Sequence, residues 1–206
     1  RAYGVLERLP EKDKDTAATH YWRGVVEARL GRPEAAIGAF RESLARDLQG
    51  PDRAWGGMGL AYYEMKRFPE AIAAFEAAHR ANPGEPTWDY QLGVILQDGG
   101  RPEEALARFE ALAARAPDDA RNWRQVGFTL SILNRLAQAV PALERSLQID
   151  PAQTKVWAAL IEARRLLGRQ AEALDGYEKL RALDGPAAEE AWRANFAALE
   201  EKGAAR

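Results

Sequence analysis

Residues 55–83 read WGGMGLAYYEMKRFPEAIAAFEAAHRANP, and the spacing inside this stretch recurs along most of the chain. Gly59 is followed by Gly93 and Gly127 in steps of 34 (93 − 59 = 127 − 93 = 34). Ala71 is followed in the same way by Ala105, Ala139 and Ala173, Phe75 by Phe109, Leu143 and Tyr177, and Pro83 by Pro117 and Pro151. One period held at four columns signals a repeat, and a fixed period in the range of about 20–50 residues marks stacked supersecondary units rather than one central core. Small residues in the Gly and Ala columns let two helices approach closely, and the aromatic column fills the space left between pairs.

Working outward, the period places repeats at 17–50, 52–85, 86–119, 120–153 and 154–187. In the first, Gly24, Gly31, Ala36 and Phe40 hold their columns, His20 stands in the Trp column, and Trp22 follows two residues later. Ala36 to Ala71 is 35 residues (71 − 36 = 35), so the connection at 47–52 carries one extra residue, which Gly50-Pro51 is placed to absorb. The third repeat has Trp88 one place early, leaving Asp89 in the Trp column. The fourth restores Trp123 but puts Pro141 a few residues into its second helix, where it is expected in or near the first turn. The fifth keeps Trp157 and places Ile161 in the Gly column, which predicts a slightly wider helix pair. Residues 1–16 read as a short leading helix on Val5, Leu6 and Leu9, stopped by Pro10, and then a charged linker. Residues 188–206 read as a closing helix over 188–202, with Trp192, Phe196 and Leu199 on one stripe, and a frayed tail.

Trp55, Met58, Gly59 and Tyr62, with Ala71, Phe75 and Pro83, resemble the W-x2-L-G-x2-Y, A-x3-F, P pattern of the tetratricopeptide repeat family, with Met58 in the Leu place. The resemblance implies an all-α fold: a right-handed α-solenoid of five helix pairs with a leading helix and a closing helix. It also implies that the first helix of each pair lines a concave face and that defined positions point into it. Carried over, those positions are Tyr21, Val25 and Arg29, then Arg53, Leu60, Tyr63 and Glu64, then Thr87, Tyr90, Val94, Gln97 and Asp98. They continue with Arg121, Arg124, Phe128 and Ser131, then Lys155, Glu162 and Arg165, with Trp192 and Phe196 at the far end. Tyr and Arg combine a large apolar body with directional polar groups and are enriched at binding hot spots. Tyr21, Arg53, Tyr63, Tyr90, Arg121, Arg124, Phe128, Lys155 and Arg165 are therefore the candidate partner-binding residues. Aromatic residues gather early in this set and cations late, which suits an extended peptide with a hydrophobic part and an acidic part, the latter near Arg121 and Arg124.

The chemistry that is missing is equally informative. There is no Cys, hence no disulfide framework or thiolate metal site, and the two His residues, His20 and His79, have no ligand spacing. Gly56-Gly57 and Gly99-Gly100 do not continue to Gly-Lys-Ser/Thr, so neither is a phosphate-binding loop. The reading is of a non-catalytic chain without cofactor or metal. A net charge of −2 offers no global attraction to nucleic acid or anionic lipid. No apolar run approaches the roughly 18 residues of a membrane span, so a soluble segment without membrane insertion is expected. Repeat domains that clamp chaperone C-terminal carboxylates carry Lys, Asn and Arg at positions that here read Tyr21, Val25, Gly57, Thr87 and Gln91, which argues against that subtype.

The expected function is a protein-protein interaction scaffold binding a protein or peptide, with self-association through the array's ends left open. Two alternatives stay open beside it. One is a periplasmic scaffold in a bacterial exopolysaccharide export or outer-membrane protein, and the other is the substrate-recognition arm of an enzyme such as a glycosyltransferase. The first residue is Arg1 and nothing near it resembles a signal peptide, which suggests a segment of a longer chain, cytoplasmic or periplasmic, with a lean to the periplasm.

Overall fold

The structure, a computed structural model, describes residues 15–47 and 49–195. The leading helix expected at 1–9, most of the linker after it, Phe196 and Leu199 lie outside the described residues. Within them the chain is helical without strands. The helices are α1 (Ala17–Arg29), α2 (Pro33–Ala45), α3 (Asp52–Glu64), α4 (Phe68–Ala81), α5 (Pro86–Asp98), α6 (Pro102–Arg115), α7 (Ala120–Ile132), α8 (Leu136–Ile149), α9 (Thr154–Leu166), α10 (Gln170–Leu183) and α11 (Gly185–Asn195). The chain divides into two compact units, Arg1–Arg101 with α1 to α5 and Pro102–Arg206 with α6 to α11. The division falls between the two helices that the period assigns to the third repeat. Inside each unit every helix packs mainly on the helices next to it in sequence, and α11 also reaches back to α9.

Each first helix stops in the same way. Arg32, Arg67, Arg101, Arg135 and Arg169 donate their backbone N–H to the carbonyls of Glu27, Tyr62, Leu96, Leu130 and Arg164 at 2.8–3.0 Å. This bond closes the last turn only if the residue before the arginine is left-handed. Gly31, Gly100 and Gly168 fill that place at φ of 69°, 77° and 76°, but Lys66 and Asn134 fill it at 57° and 55°. Three of the second helices then begin at or next to proline, with Pro33 and Pro102 first in α2 and α6 and Pro69 second in α4, where a missing N–H removes no helical bond. The connection with the extra residue uses two left-handed residues, Asp47 (φ 57°) and Gly50 (φ 69°).

The packing columns lie where the period puts them. Ala36, Ala71, Ala105, Ala139 and Ala173 are all 0% exposed, and Phe40, Phe75, Phe109 and Leu143 are buried beside them. The aromatic column serves two neighbours at once. A Cβ on Gly24 would come 2.7 Å from the Phe40 ring within the same pair, and one on Gly57 would come 2.5 Å from it in the next pair. Phe75 likewise fills the space over Gly59 and lies 6.3 Å, centroid to centroid, from Trp88. In the fifth pair Ile161 is buried in the Gly column, and the small residue has moved to the other helix. A Cβ on Gly176 of α10 would lie 3.1 Å from Ile161 Cγ1, a compensation that the expectation of a wider pair did not include.

Hydroxyl and indole groups tie helices together. Ser43 donates to the Ala17 carbonyl at 2.6 Å, and Ser146 donates to that of Ala120 at 2.8 Å. Trp123 and Trp157 are half-buried and donate through Nε1 to the carbonyls of Pro117 and Pro151, each at 2.9 Å. Two expectations need correction. Pro141 is the sixth residue of α8, in its second turn, on the exposed side of a helix that runs on without a break. The closing helix starts at Gly185 rather than 188, because Asp184 caps it by accepting from Ala187 N at 3.0 Å. Ala188 and Ala191 then join Ile161, Ala173 and Leu180 in one core cluster, and Trp192 packs on Tyr177 at 4.8 Å.

Candidate partner-binding faces

In the first unit a cavity of ≈1010 Å³ opens beside α1, α3 and the start of α5. Its floor is Gly56-Gly57. These two glycines are adjacent because two aromatic rings arrive from opposite sides, Phe40 against Gly57 and Trp88 against Gly56, and a side chain at either place would overlap a ring. Tyr21, Val25 and Leu60 supply apolar wall, with Leu60 45% exposed. Arg29, Arg53, Glu64, Glu85 and Thr87 stand around the rim, and Asp52 and Asn82 are also in the lining. Glu85 caps α5 by accepting from Thr87, a bond that, with the field of Arg53, holds its carboxyl below the usual glutamate range.

Of the candidate residues in this unit, Tyr21 and Arg53 line the cavity and Tyr63 and Tyr90 do not. Tyr63 donates through its hydroxyl to Asp98 Oδ2 and stands edge-on to Phe68 at 6.1 Å. The bond to Asp98 raises the Tyr63 hydroxyl above its ordinary range. Tyr90 is half-buried on α5. The period-based reading missed Trp88, Asp52, Asn82 and the glycine floor. The displacement of Trp88 by one place was the signal: it turns the indole out of the packing column and over Gly56. The two histidines hold acidic neighbours. His20 Nε2 lies 2.9 Å from Asp15 Oδ1, and His79 Nδ1 lies 3.3 Å from Asp89 Oδ1.

In the second unit the candidates separate by role. Arg121 grips Asp119, the N-cap of α7, through Nε and Nη2, and this pairing holds the Asp119 carboxyl below its usual range. Arg124 reaches Gln153 at the start of α9 with Nη1–Oε1 of 3.3 Å, and Lys155 stands exposed two residues on. Phe128 packs against the cluster of Val140, Leu143, Leu147, Val156, Leu160 and Ala163, so much of its surface serves the core. Arg165 donates to Asn195 Oδ1 at 2.9 Å and ties α9 to α11. A second cavity of ≈790 Å³, lined by Leu106, Trp123, Val126, Leu130 and Pro141 among others, lies on the side of the second helices α6 and α8.

Family models of the tetratricopeptide repeat match residues 1–51, 23–86 and 62–126, together 1–126, and a model of the bacterial transcriptional activator domain matches 123–185. A sequence comparison with curated proteins gives no match. Among solved structures the chain is similar to YrrB, described as a TPR protein with an unusual peptide-binding site, at TM-score 0.74 and 20% identity over 92% of this chain and 98% of that one. It is also similar to MamA (41-end) from Desulfovibrio magneticus RS-1, at TM-score 0.76 and 22% identity over 84% of this chain and 97% of that one. At these identities the structural likeness speaks for the fold.

Proposed function

We propose that this chain, which belongs to the tetratricopeptide repeat family, is a non-catalytic interaction scaffold whose first helices take up an extended segment of a partner protein. The observation that carries this reading is the cavity of the first unit. A glycine pair between two aromatic rings is a costly arrangement in a helix interior, since each Gly costs about 1 kcal/mol relative to Ala. Here it lets the Phe40 and Trp88 rings lie directly against α3, where both help to line the recess. Recesses of this kind, rimmed by a few polar groups, are where proteins hold ligand side chains. That a protein of the same fold, YrrB, is described as having a peptide-binding site adds support from a relative.

The acidic part of such a partner belongs on the second unit beside Arg124 and Lys155. Arg121 shares its charge with Asp119 and contributes less. Fluorescence anisotropy with labelled peptides selected from a random phage-displayed library tests both halves. Leu60→Lys, an exposed change that leaves the core intact, abolishes binding of the apolar part. Arg124→Glu with Lys155→Glu weakens acidic peptides by about tenfold, most at low salt. Peptides that bind both variants as well as the parent chain exclude this placement.

A further inference from the structure

The same cavity holds a carboxylate whose surroundings bear on what enters it. Asp52 opens α3 and is 7% exposed. Among the described residues its hydrogen-bond donors are both neutral, Trp88 Nε1 at 3.1 Å and Asn82 Nδ2 at 3.3 Å, and both converge on Oδ2. The N-terminus of α3 favours a negative charge there, but a carboxylate so far from water is usually matched by a cation. The arginine beside it in sequence, Arg53, is exposed and is not among the hydrogen-bond donors to Asp52. The cavity's charged lining is Arg29, Arg53, Asp52, Glu64 and Glu85. Its three carboxylates outnumber its two cations, so the lining carries a net negative charge.

Building on the scaffold reading, we infer that the cavity recognises a partner segment in which a bulky apolar side chain lies next to a lysine or arginine. The apolar group seats against Tyr21, Val25 and Leu60, beside the Trp88 ring that covers Gly56. The cation reaches Asp52, whose partners leave its second oxygen open to a further donor, and Glu64 adds to the attraction from the rim. A free amino terminus followed by an apolar residue presents the same chemistry, and peptides with blocked and unblocked ends separate the two sources.

The test uses the whole chain as bait for a random phage-displayed peptide library, with Leu60→Lys as the counter-bait. Peptides that depend on Leu60 are expected to be enriched in a large apolar residue with Lys or Arg within two positions. One such peptide, made with blocked ends and labelled, is then titrated against the parent chain and against Asp52→Asn. That variant keeps the shape of the side chain and its ability to accept from Trp88 and Asn82. Affinity is expected to fall by about tenfold or more in Asp52→Asn, and replacing the peptide's cation by Gln is expected to remove the difference. Leu60-dependent peptides without a basic residue, or an Asp52→Asn titration that matches the parent, overturn this inference and leave the scaffold reading standing. If no Leu60-dependent peptide is enriched, both fall.

Discussion

Lys66 and Asn134 occupy the backbone place that Gly31, Gly100 and Gly168 fill in the other pairs, and they do so at positive φ. An L side chain in this region crowds its own carbonyl, which costs about 1 kcal/mol relative to glycine. The left-handed turn is nonetheless kept, because without it Arg67 and Arg135 could not return their N–H groups to Tyr62 and Leu130. Lys66→Gly is therefore expected to stabilise the chain by about 0.5–1 kcal/mol, read as a higher urea midpoint at unchanged slope. A midpoint that stays in place or falls would mean that the Lys66 side chain makes a compensating contact. Trp88 teaches a related lesson: one place of displacement takes the indole from the packing column to the wall of a cavity, where it donates to a buried carboxylate.

Among the helices, α8 departs furthest from local preference. Pro141 in its second turn removes one N–H from the ladder and leaves the Ala137 carbonyl without its helical donor. The helix persists because Ala139, Val140, Ala142, Leu143, Ser146 and Leu147 are all buried on its other face, and burial of that stripe outweighs one lost bond. Pro141→Ala is expected to stabilise by about 2 kcal/mol after allowing for the looser unfolded chain, as measured by thermal or urea unfolding. The same substitution tests whether the second cavity, which Pro141 and Ala137 both line, owes anything to the proline. The fifth pair shows the opposite kind of adjustment, in which Ile161 and Gly176 exchange the large and small roles across the α9–α10 contact.

For the molecule as a whole, energy is distributed between neighbours. Arg164 of α9 is 12% exposed and reaches Glu144 on α8 at 2.9 Å and Glu172 on α10 at 3.6 Å, so a single side chain links three successive helices. Stability that arises from such nearest-neighbour contacts should be lost locally. Ala139→Leu, which forces a branched chain into a fully buried column, is expected to cost about 1–3 kcal/mol through overpacking. In native-state hydrogen exchange the loss of protection should appear in α7 to α10, with α1 to α5 protected as before. Equal loss in both units would show that the chain unfolds as one block.

Sequence alone determined the repeat. The buried Ala column and the aromatic column follow from a period of 34, because each helix meets the same kind of neighbour every 34 residues and so faces the same steric demand. Tertiary structure decided which surface residues are available. Tyr63 and Asp98 both belong to the face implied by the family pattern, yet they bind each other, and Phe128 is drawn into the core. A period states which way a side chain points from its helix and says nothing of what stands opposite. Gly56-Gly57, read in sequence only as something other than a phosphate loop, became the floor of a recess once Phe40 and Trp88 were seen to close on it from two different helices.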